Sequence, residues 1–462
     1  MAQQSTQRDI DAVNAVIKAY DVRGVVGDQE GQINEGFVRD VGASFARLMR
    51  AEGAKSVVVG HDMRDSSPGL AAAFIEGVTA QGLDAVNLGL TSTDELYYAA
   101  GVGECPGAMF TASHNPAQYN GIKLCRAGAK PVGQGTGLER IVEELVAGVP
   151  SYDGEPGTSS EKDVLDGYAA YLLSLVPMDI RPLKVAVDAG NGMGGLTVPA
   201  VFGKLPVELK DLYFELDGNF PNHEANPLEP KNLVDLQKFT VDNGCDLGIA
   251  FDGDADRCFI VDENGDAVSP STVCAMIAER YLGHHPGATI IHNLITSKSV
   301  PEIVSELGGT PVRTRVGHSF IKAKMAETGA VFGGEHSAHY YFSDFFNADS
   351  GMLAALHVLA TLGAQEKPLS ELKGKYERYI ASGEINSEVA DQAASTKAVV
   401  DAFADRTVSS DDMDGVTVEL TGGAWFNVRA SNTEPLLRLN AEAATQEEVD
   451  AIVEEALRHI RG

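Results

Sequence analysis

The chain has 462 residues, which at about 150 residues per domain implies about three domains and a core that needs no disulfide or metal staples. Apolar residues make up 44% and charged residues 22%, an ordinary globular composition. Lys and Arg number 36 against 66 Asp and Glu, a formal charge of −30; this excludes a general nucleic-acid or anionic-membrane binder, which needs a basic face, but leaves room for a small anion held by a few local cations.

In chain order, the first twenty residues lack the apolar core of a signal peptide. Five scattered cysteines, with no CxxC, predict a reduced, cytoplasmic protein. Ser56-Val57-Val58-Val59, Leu183 to Val187 and Ala288 to Ile291 are short β-branched runs, each followed by a helical pattern, and predict βαβ units with largely parallel sheets. Residues 148–163, rich in Gly, Pro, Ser and charge, predict a linker. Leu247 to Phe251, Cys258 to Val261 and Ala330 to Phe332 read as further strands, with a turn at Val261 to Gly265. Met352 to Ala364 is too short to span a bilayer and predicts a buried helix. Residues 365–415 read as polar and helical. Val416 to Leu420, Trp425 to Arg429 and Leu436 to Asn440 predict strands, and a helix capped at Thr445-x-x-Glu448 closes the chain with Val449, Ile452, Val453, Leu457 and Ile460 on one face. The expectation is three α/β units followed by a smaller α+β unit.

Four loops carry chemistry. Thr111-Ala112-Ser113-His114-Asn115-Pro116, with Tyr119 to Lys123 behind it, offers a serine beside His, Lys and amides, a credible phosphoryl carrier; alone it would read as a turn. Asp252, Asp254 and Asp256 stand at alternate positions before Arg257 and can converge on a hard cation such as Mg²⁺. An EF-hand is the rival, with Glu263 at its twelfth position, but Arg257 occupies the place of the required glycine and the flanks read as strands. An aspartyl-phosphate phosphatase with Asp252 as nucleophile would leave the serine loop without a role. Gly333 to His339 supplies Glu335, Ser337 and His339 for sugar hydroxyls, a weak signal by itself. Arg429, Ser431, Asn432 and Thr433, with Arg438 beyond, suit a phosphate dianion. Two smaller signals are Tyr20 to Gly24, which places Arg23, and Arg315 to Lys322, a glycine turn entering a helix. Gly190, Gly192 and Gly195 meet the dinucleotide spacing, with Glu215 beyond, but a tight strand-to-helix turn explains them better.

Together the TASHNP, DGDADR, GEHSAH and RASNTEP segments resemble, in order and over essentially the whole chain, the α-D-phosphohexomutase family, and within it the bacterial phosphomannomutase/phosphoglucomutase branch. The resemblance implies three α/β domains with mainly parallel mixed sheets plus a smaller C-terminal α+β domain around a central cleft, with boundaries at 1–153, 154–260, 261–372 and 373–462. It implies that Ser113 is the phosphoserine, that Asp252, Asp254 and Asp256 bind Mg²⁺ with a phosphoserine oxygen, and that His114, Lys123, Arg257 and Arg23 serve the transfer. It implies substrate contacts from Tyr20, Asn115, Gly317, His318, Glu335, Ser337, His339, Arg429, Ser431, Asn432 and Thr433. One departure is that some relatives carry a Lys where this chain has Asn293-Leu294-Ile295-Thr296, so Lys298 or Lys322 must supply that contact if anything does. The implied reaction interconverts hexose 1-phosphate and hexose 6-phosphate (mannose and/or glucose) through a hexose 1,6-bisphosphate. Alternatives are phosphoglucosamine mutase, a Mg²⁺-dependent sugar phosphatase and a non-enzymatic sugar-phosphate binder. The expected partners are hexose phosphates, without nucleic acid or membrane, for a monomer or weak homodimer. The basic residues are expected to gather into a locally positive cleft.

Overall fold

The computed structural model describes residues 5, 7–431 and 436–462, apart from the side chains at 318 and 319. The chain divides into two compact units: Met1–Val268 with Ser337–Ser370, and Ser269–His336 with Glu371–Gly462.

The first unit holds two mixed sheets. One runs in the order Val22–Val25, Tyr119–Arg126, Gly107–Phe110, Ser56–His61, Asp84–Leu90 and Ser159–Glu161, with Lys130–Pro131 paired on Tyr119–Arg126. Its central strands are parallel, and Tyr119–Arg126 runs antiparallel to both its neighbours. The helices Glu35–Ala51 and Ser67–Ala80 pack through Phe45, Phe74 and Val78 onto Val57, Val59 and Phe110, all fully buried. The segment expected to be a linker contributes the edge strand Ser159–Glu161, parallel to Asp84–Leu90. Its three residues are exposed and polar, so backbone pairing alone makes the strand and no hydrophobic alternation signals it.

The second sheet runs Ala267–Val268, Cys258–Asp262, Leu247–Phe251, Leu183–Asp188 and Val207–Leu212. Leu247–Phe251 is buried at every position, which its unbroken apolar sequence requires of a strand covered on both faces. The helix Gly351–Gly363 in the same unit is buried almost throughout. Among the described residues no helix is long and apolar enough to cross a membrane.

The second unit contains the parallel strands Thr310–Thr314, Thr289–Asn293 and Phe332–Gly334, with the helices Pro270–His284, Ser299–Glu306 and His318–Thr328. It also contains an antiparallel sheet in the order Ile380–Ala381, Leu436–Ala443, Trp425–Ala430, Val416–Leu420 and Thr407–Asp411, with Ile385–Glu388 also on Leu436–Ala443. One face buries Val418, Phe426, Val428, Leu437 and Leu439 in a core shared with Val449, Ile452 and Ile460 of the helix Gln446–Arg461. The opposite face is polar: in register it presents Trp425 beside Glu442, Asn427 beside Asn440 and Arg429 beside Arg438. The helical reading of residues 365–415 is corrected here. Helices cover Leu369–Lys373 and Gln392–Ala402, but Ile380–Ala381, Ile385–Glu388 and Thr407–Asp411 are strands. Their side chains are mostly exposed, so sheet pairing rather than an apolar period selects the extended state.

Candidate active site

Two loops leave the carboxyl ends of strands, where sheets of this class bind ligands. Gly107–Phe110 leads into Thr111 to Pro116, and Leu247–Phe251 leads into Asp252 to Arg257. The loops meet. Ser113 Oγ donates to Asp252 Oδ2 at 2.8 Å and lies 3.1 Å from His114 Nδ1. The approach depends on Gly253, where a Cβ would come within 2.4 Å of the Ser113 carbonyl oxygen.

Ser113 adopts φ +50°, a left-handed conformation that costs a non-glycine residue about 1–2 kcal/mol. Its surroundings hold it there. The Ser113 N–H donates to Thr111 Oγ1 at 2.8 Å. Arg64, fully buried, donates to the carbonyls of Ser113 (2.9 Å), Asn115 (2.7 Å), Pro116 (2.8 Å) and Tyr119 (3.1 Å), and its Nε reaches Asp62 at 3.1 Å. Sequence reasoning missed Arg64 because all four carbonyls lie about fifty residues away and no local motif marks it. Arg23 adds contacts to the Ala112 carbonyl (3.1 Å), Asn115 Oδ1 (2.6 Å) and Asp21 (2.6 Å). Tyr20 lies half-buried beside Gly133, before the strand that carries Arg23.

All three aspartates of the second loop are buried, and their carboxylate oxygens lie within 4.8 Å of one another. Arg257 Nε donates to Asp252 Oδ2 at 2.9 Å. Lys123 Nζ donates to Asp254 Oδ2 (2.8 Å) and Asp256 Oδ2 (2.5 Å). Thr93 Oγ1, also unforeseen from sequence, donates to Asp254 Oδ2 at 2.6 Å. Burial, together with the charges of Asp256 and Asp254, pushes the Asp252 carboxyl up to about 7 against the pull of Arg257. Burial would raise Asp254 too, but Lys123 and its hydrogen bonds hold it below the usual carboxylate range. Burial would lower Lys123, but Asp254 and Asp256 raise it well above its ordinary value. Burial and then the Arg257 and Arg23 charges drive His114 well below the ordinary histidine value, so its imidazole is neutral at pH 7.

Within the first unit the expected gathering of positive charge is offset by these pairings. Arg23, Arg64, Lys123 and Arg257 are each matched by acid, and with Asp21, Asp62, Asp252, Asp254 and Asp256 present the carboxylates outnumber the cations. Buried Asp254 Oδ1 and Asp256 Oδ1 have no hydrogen-bond partner. Unsatisfied buried carboxylate oxygens beside a serine oxygen form an all-oxygen, electron-rich donor set, which fits a hard divalent cation.

Ser337 and His339 are brought to this cluster. Ser337 Oγ lies 3.1 Å from His339 Nδ1, His339 Nε2 lies 3.8 Å from Asp256 Oδ1, and Arg257 forms a β-bridge with His339. The glycine-rich Asp188–Gly195 segment backs the same loop: the Met193 N–H donates to the Gly253 carbonyl at 2.9 Å, and a Cβ on Gly192 would come within 2.6 Å of that oxygen. Its glycines therefore serve close packing against the acidic loop.

The remaining candidates lie in the second unit. Glu335 is buried just after Phe332–Gly334. Gly317, at φ +130°, opens the helix His318–Thr328, in which Lys322 is buried; the side chain of His318 lies outside the described residues. Lys298 lines a cavity of about 510 Å³ with His292, Thr296, Arg313 and Trp425. Arg429 is buried, and its guanidinium bonds to Glu384, a residue the sequence reading did not select; Arg438 Nη1 reaches the same carboxylate at 3.3 Å. The Ser431 N–H donates to the Leu436 carbonyl at 2.8 Å, while Asn432 and Thr433 lie outside the described residues.

A buried serine set against an acidic all-oxygen cluster, with fixed cations around it, is an arrangement able to hold a divalent cation beside a phosphoryl acceptor. Family models agree in detail: the alpha/beta/alpha domains I, II and III of phosphoglucomutase/phosphomannomutase match residues 14–148, 166–265 and 269–379, and its C-terminal domain matches 384–459. The chain belongs to the phosphoglucomutase/phosphomannomutase family, a family of hexose-phosphate mutases. It is 38% identical over 437 residues to the phosphomannomutase of Salmonella montevideo, covering 92% of this chain and 94% of that protein. It is 40% identical over 431 residues to the phosphohexose mutases of Xanthomonas campestris pv. campestris, with the same coverage of 92% and 94%. The crystal structure of a phosphoglucomutase/phosphomannomutase family protein from Burkholderia thailandensis superposes with a TM-score of 0.87 at 31% identity, over 97% of each chain.

Proposed function

We propose that this mutase interconverts hexose 1-phosphate and hexose 6-phosphate, of mannose and/or glucose, through phosphorylated Ser113 and a hexose 1,6-bisphosphate. The observation that carries the reading is the contact of Ser113 Oγ with Asp252 at 2.8 Å inside a cluster of three buried aspartates. Asp252, Asp254 and Asp256, with a phosphoserine oxygen, would hold Mg²⁺. Once bound, Mg²⁺ supplies neutralisation of the charge that develops on the transferring phosphoryl group.

The residues of the chain account for the rest. The bond between Ser113 Oγ and phosphorus breaks as a sugar hydroxyl forms a new bond to the same phosphorus; the hydroxyl gives up its proton and Ser113 Oγ takes one up. Catalysis of this kind is mainly positioning and charge stabilisation. Arg64 and Arg23 fix the serine loop. Arg257 and Lys123 offer permanent positive charge. Neutral His114, 3.1 Å from Ser113 Oγ, is placed to exchange the serine proton when the phosphoryl group returns. Ser337, His339 and Glu335 would read the sugar hydroxyls. Arg429, with Ser431, Asn432 and Thr433, would hold the phosphate that does not react, so that one cradle serves both half-reactions. The free cysteines accord with a cytoplasmic protein, expected as a monomer or weak homodimer.

The test is intact mass before and after phosphatase treatment. Wild-type protein should lose one phosphoryl mass, and Ser113→Ala should carry none. That variant should keep its fold and lose at least about 10³-fold in the interconversion of glucose 1-phosphate and glucose 6-phosphate. Full activity in the variant sinks the phosphoserine reading, and release of free phosphate without interconversion by the wild type makes the chain a phosphatase.

A further inference from the structure

Glu384 stands in the short connection between Ile380–Ala381 and Ile385–Glu388, immediately before the strand whose Asn386 lies opposite Arg438. Arg438 in turn lies opposite Arg429. One carboxylate therefore spans two neighbouring guanidinium groups: Glu384 Oε2 accepts from Arg429 Nη2, and Oε1 lies 3.3 Å from Arg438 Nη1. Its charge also acts on the buried His336 of the sugar loop, where it opposes the lowering caused by burial. The side chain of Glu384 is 27% exposed and that of Arg429 is 10% exposed, so the carboxylate is the more solvent-accessible member of the pair.

A carboxylate presents to a guanidinium the same pair of oxygens that a phosphate edge presents. The two cannot share the donors, because a carboxylate within a few ångströms of a phosphate dianion repels it strongly where water is scarce. We infer that Glu384 is an internal competitor for the phosphate cradle: it occupies the donors of Arg429 and Arg438 that a substrate phosphate uses, and the phosphate enters by displacing it. The inference rests on the cradle reading given above.

The functional consequence is a grip looser than two unopposed arginines would give. For a bisphosphate that must leave the cradle by one end and return by the other, a looser grip is useful. Tight binding of every bound state alike lowers KM without raising turnover. A carboxylate that retakes Arg429 as the phosphate departs also keeps that buried charge paired.

The experiment compares Glu384→Gln, Arg429→Ala and the double variant. Glucose 1-phosphate is the substrate and inorganic phosphate the competitive inhibitor. Glutamine keeps the shape of the side chain, and a thermal melt of each variant verifies folding. With competition, Glu384→Gln lowers the KM for glucose 1-phosphate and the Ki for phosphate by about 3–10-fold. Arg429→Ala raises both, and in that background Glu384→Gln lowers them by a smaller factor, because only Arg438 remains to be freed. A KM and Ki that rise or stay unchanged in Glu384→Gln, while Arg429→Ala still raises them, overturn the inference and make Glu384 an orienting partner. An equal fall in the Arg429→Ala background overturns it as a long-range charge effect. If Arg429→Ala leaves KM unchanged, the cradle reading itself fails.

Discussion

Around Ser113 the charged groups are largely buried and paired on one another, whereas buried Arg429 is held by the partly exposed carboxylate of Glu384, which also reaches Arg438. The first arrangement suits a centre where charge moves between atoms, because dipoles already in place need no reorganisation at the moment of transfer. The second suits recognition that must be made and undone within one catalytic cycle. On the proposed reading a rigid site carries the chemistry and an exchangeable one carries the anion.

The contrast can be broken most directly at Asp254. Asp254→Asn removes one oxygen ligand and the partner of Lys123, and kcat is expected to fall about 10²–10³-fold, with a higher Mg²⁺ requirement in titrations of the chelator-treated protein. An unchanged Mg²⁺ dependence would remove the metal from the acidic cluster. Next in size is Arg64→Met, which leaves Asp62 and four carbonyls without their buried donor and should cost about 3–5 kcal/mol in denaturant unfolding. Its kcat should drop while KM for glucose 1-phosphate changes little, because the serine loop and not the cradle loses its support. Equal damage to KM would dissolve the distinction between the two regions.

Arg429→Ala probes the other side. It should raise KM about 10–100-fold and leave phosphorylation of Ser113 by glucose 1,6-bisphosphate, read by intact mass at saturation, nearly unchanged. The smallest effect concerns the frame behind the acidic loop. Ser92 and Glu95 form a capping box at the start of the helix Thr93–Val102, whose Thr93 holds Asp254. Burial pushes the Glu95 carboxyl up to about 8 from an ordinary value of 4.5. The folded protein therefore binds this proton more tightly than the unfolded chain. The stability this contributes is complete below about 4.5 and is lost as pH rises through about 8. Glu95→Gln should gain on the order of 2 kcal/mol relative to wild type between pH 5 and pH 9, measured by denaturant midpoints. A constant difference across that range would contradict the sign.

Much of the site was legible because its residues are contiguous. Ser113 with His114, and Asp252 through Arg257, sit in short loops after apolar runs, so a linear reading finds both the residues and the side of the sheet they occupy. The EF-hand alternative failed on strands at both flanks, and the structure has strands there. What escaped were groups whose partners are remote. Arg64, Thr93 and Glu384 lie 49, 161 and 45 residues from the partners that define them. The edge strand Ser159–Glu161 and the strands in 380–411 escaped for a related reason. Their extended state comes from a neighbouring strand's hydrogen bonds, and no apolar period records that.

The sequence by itself determined the order of α/β units, the family resemblance, the serine and the acidic triplet, because periodicity and short motifs are local properties of a chain. The tertiary structure alone decided how charge is balanced. Only folding could place Gly253 against Ser113, pair Lys123 with Asp254 and Asp256, and lay Glu384 across Arg429 and Arg438. The net charge of −30 carries no information on this point. Electrostatic interaction depends on separation and burial, and neither is set until distant segments meet.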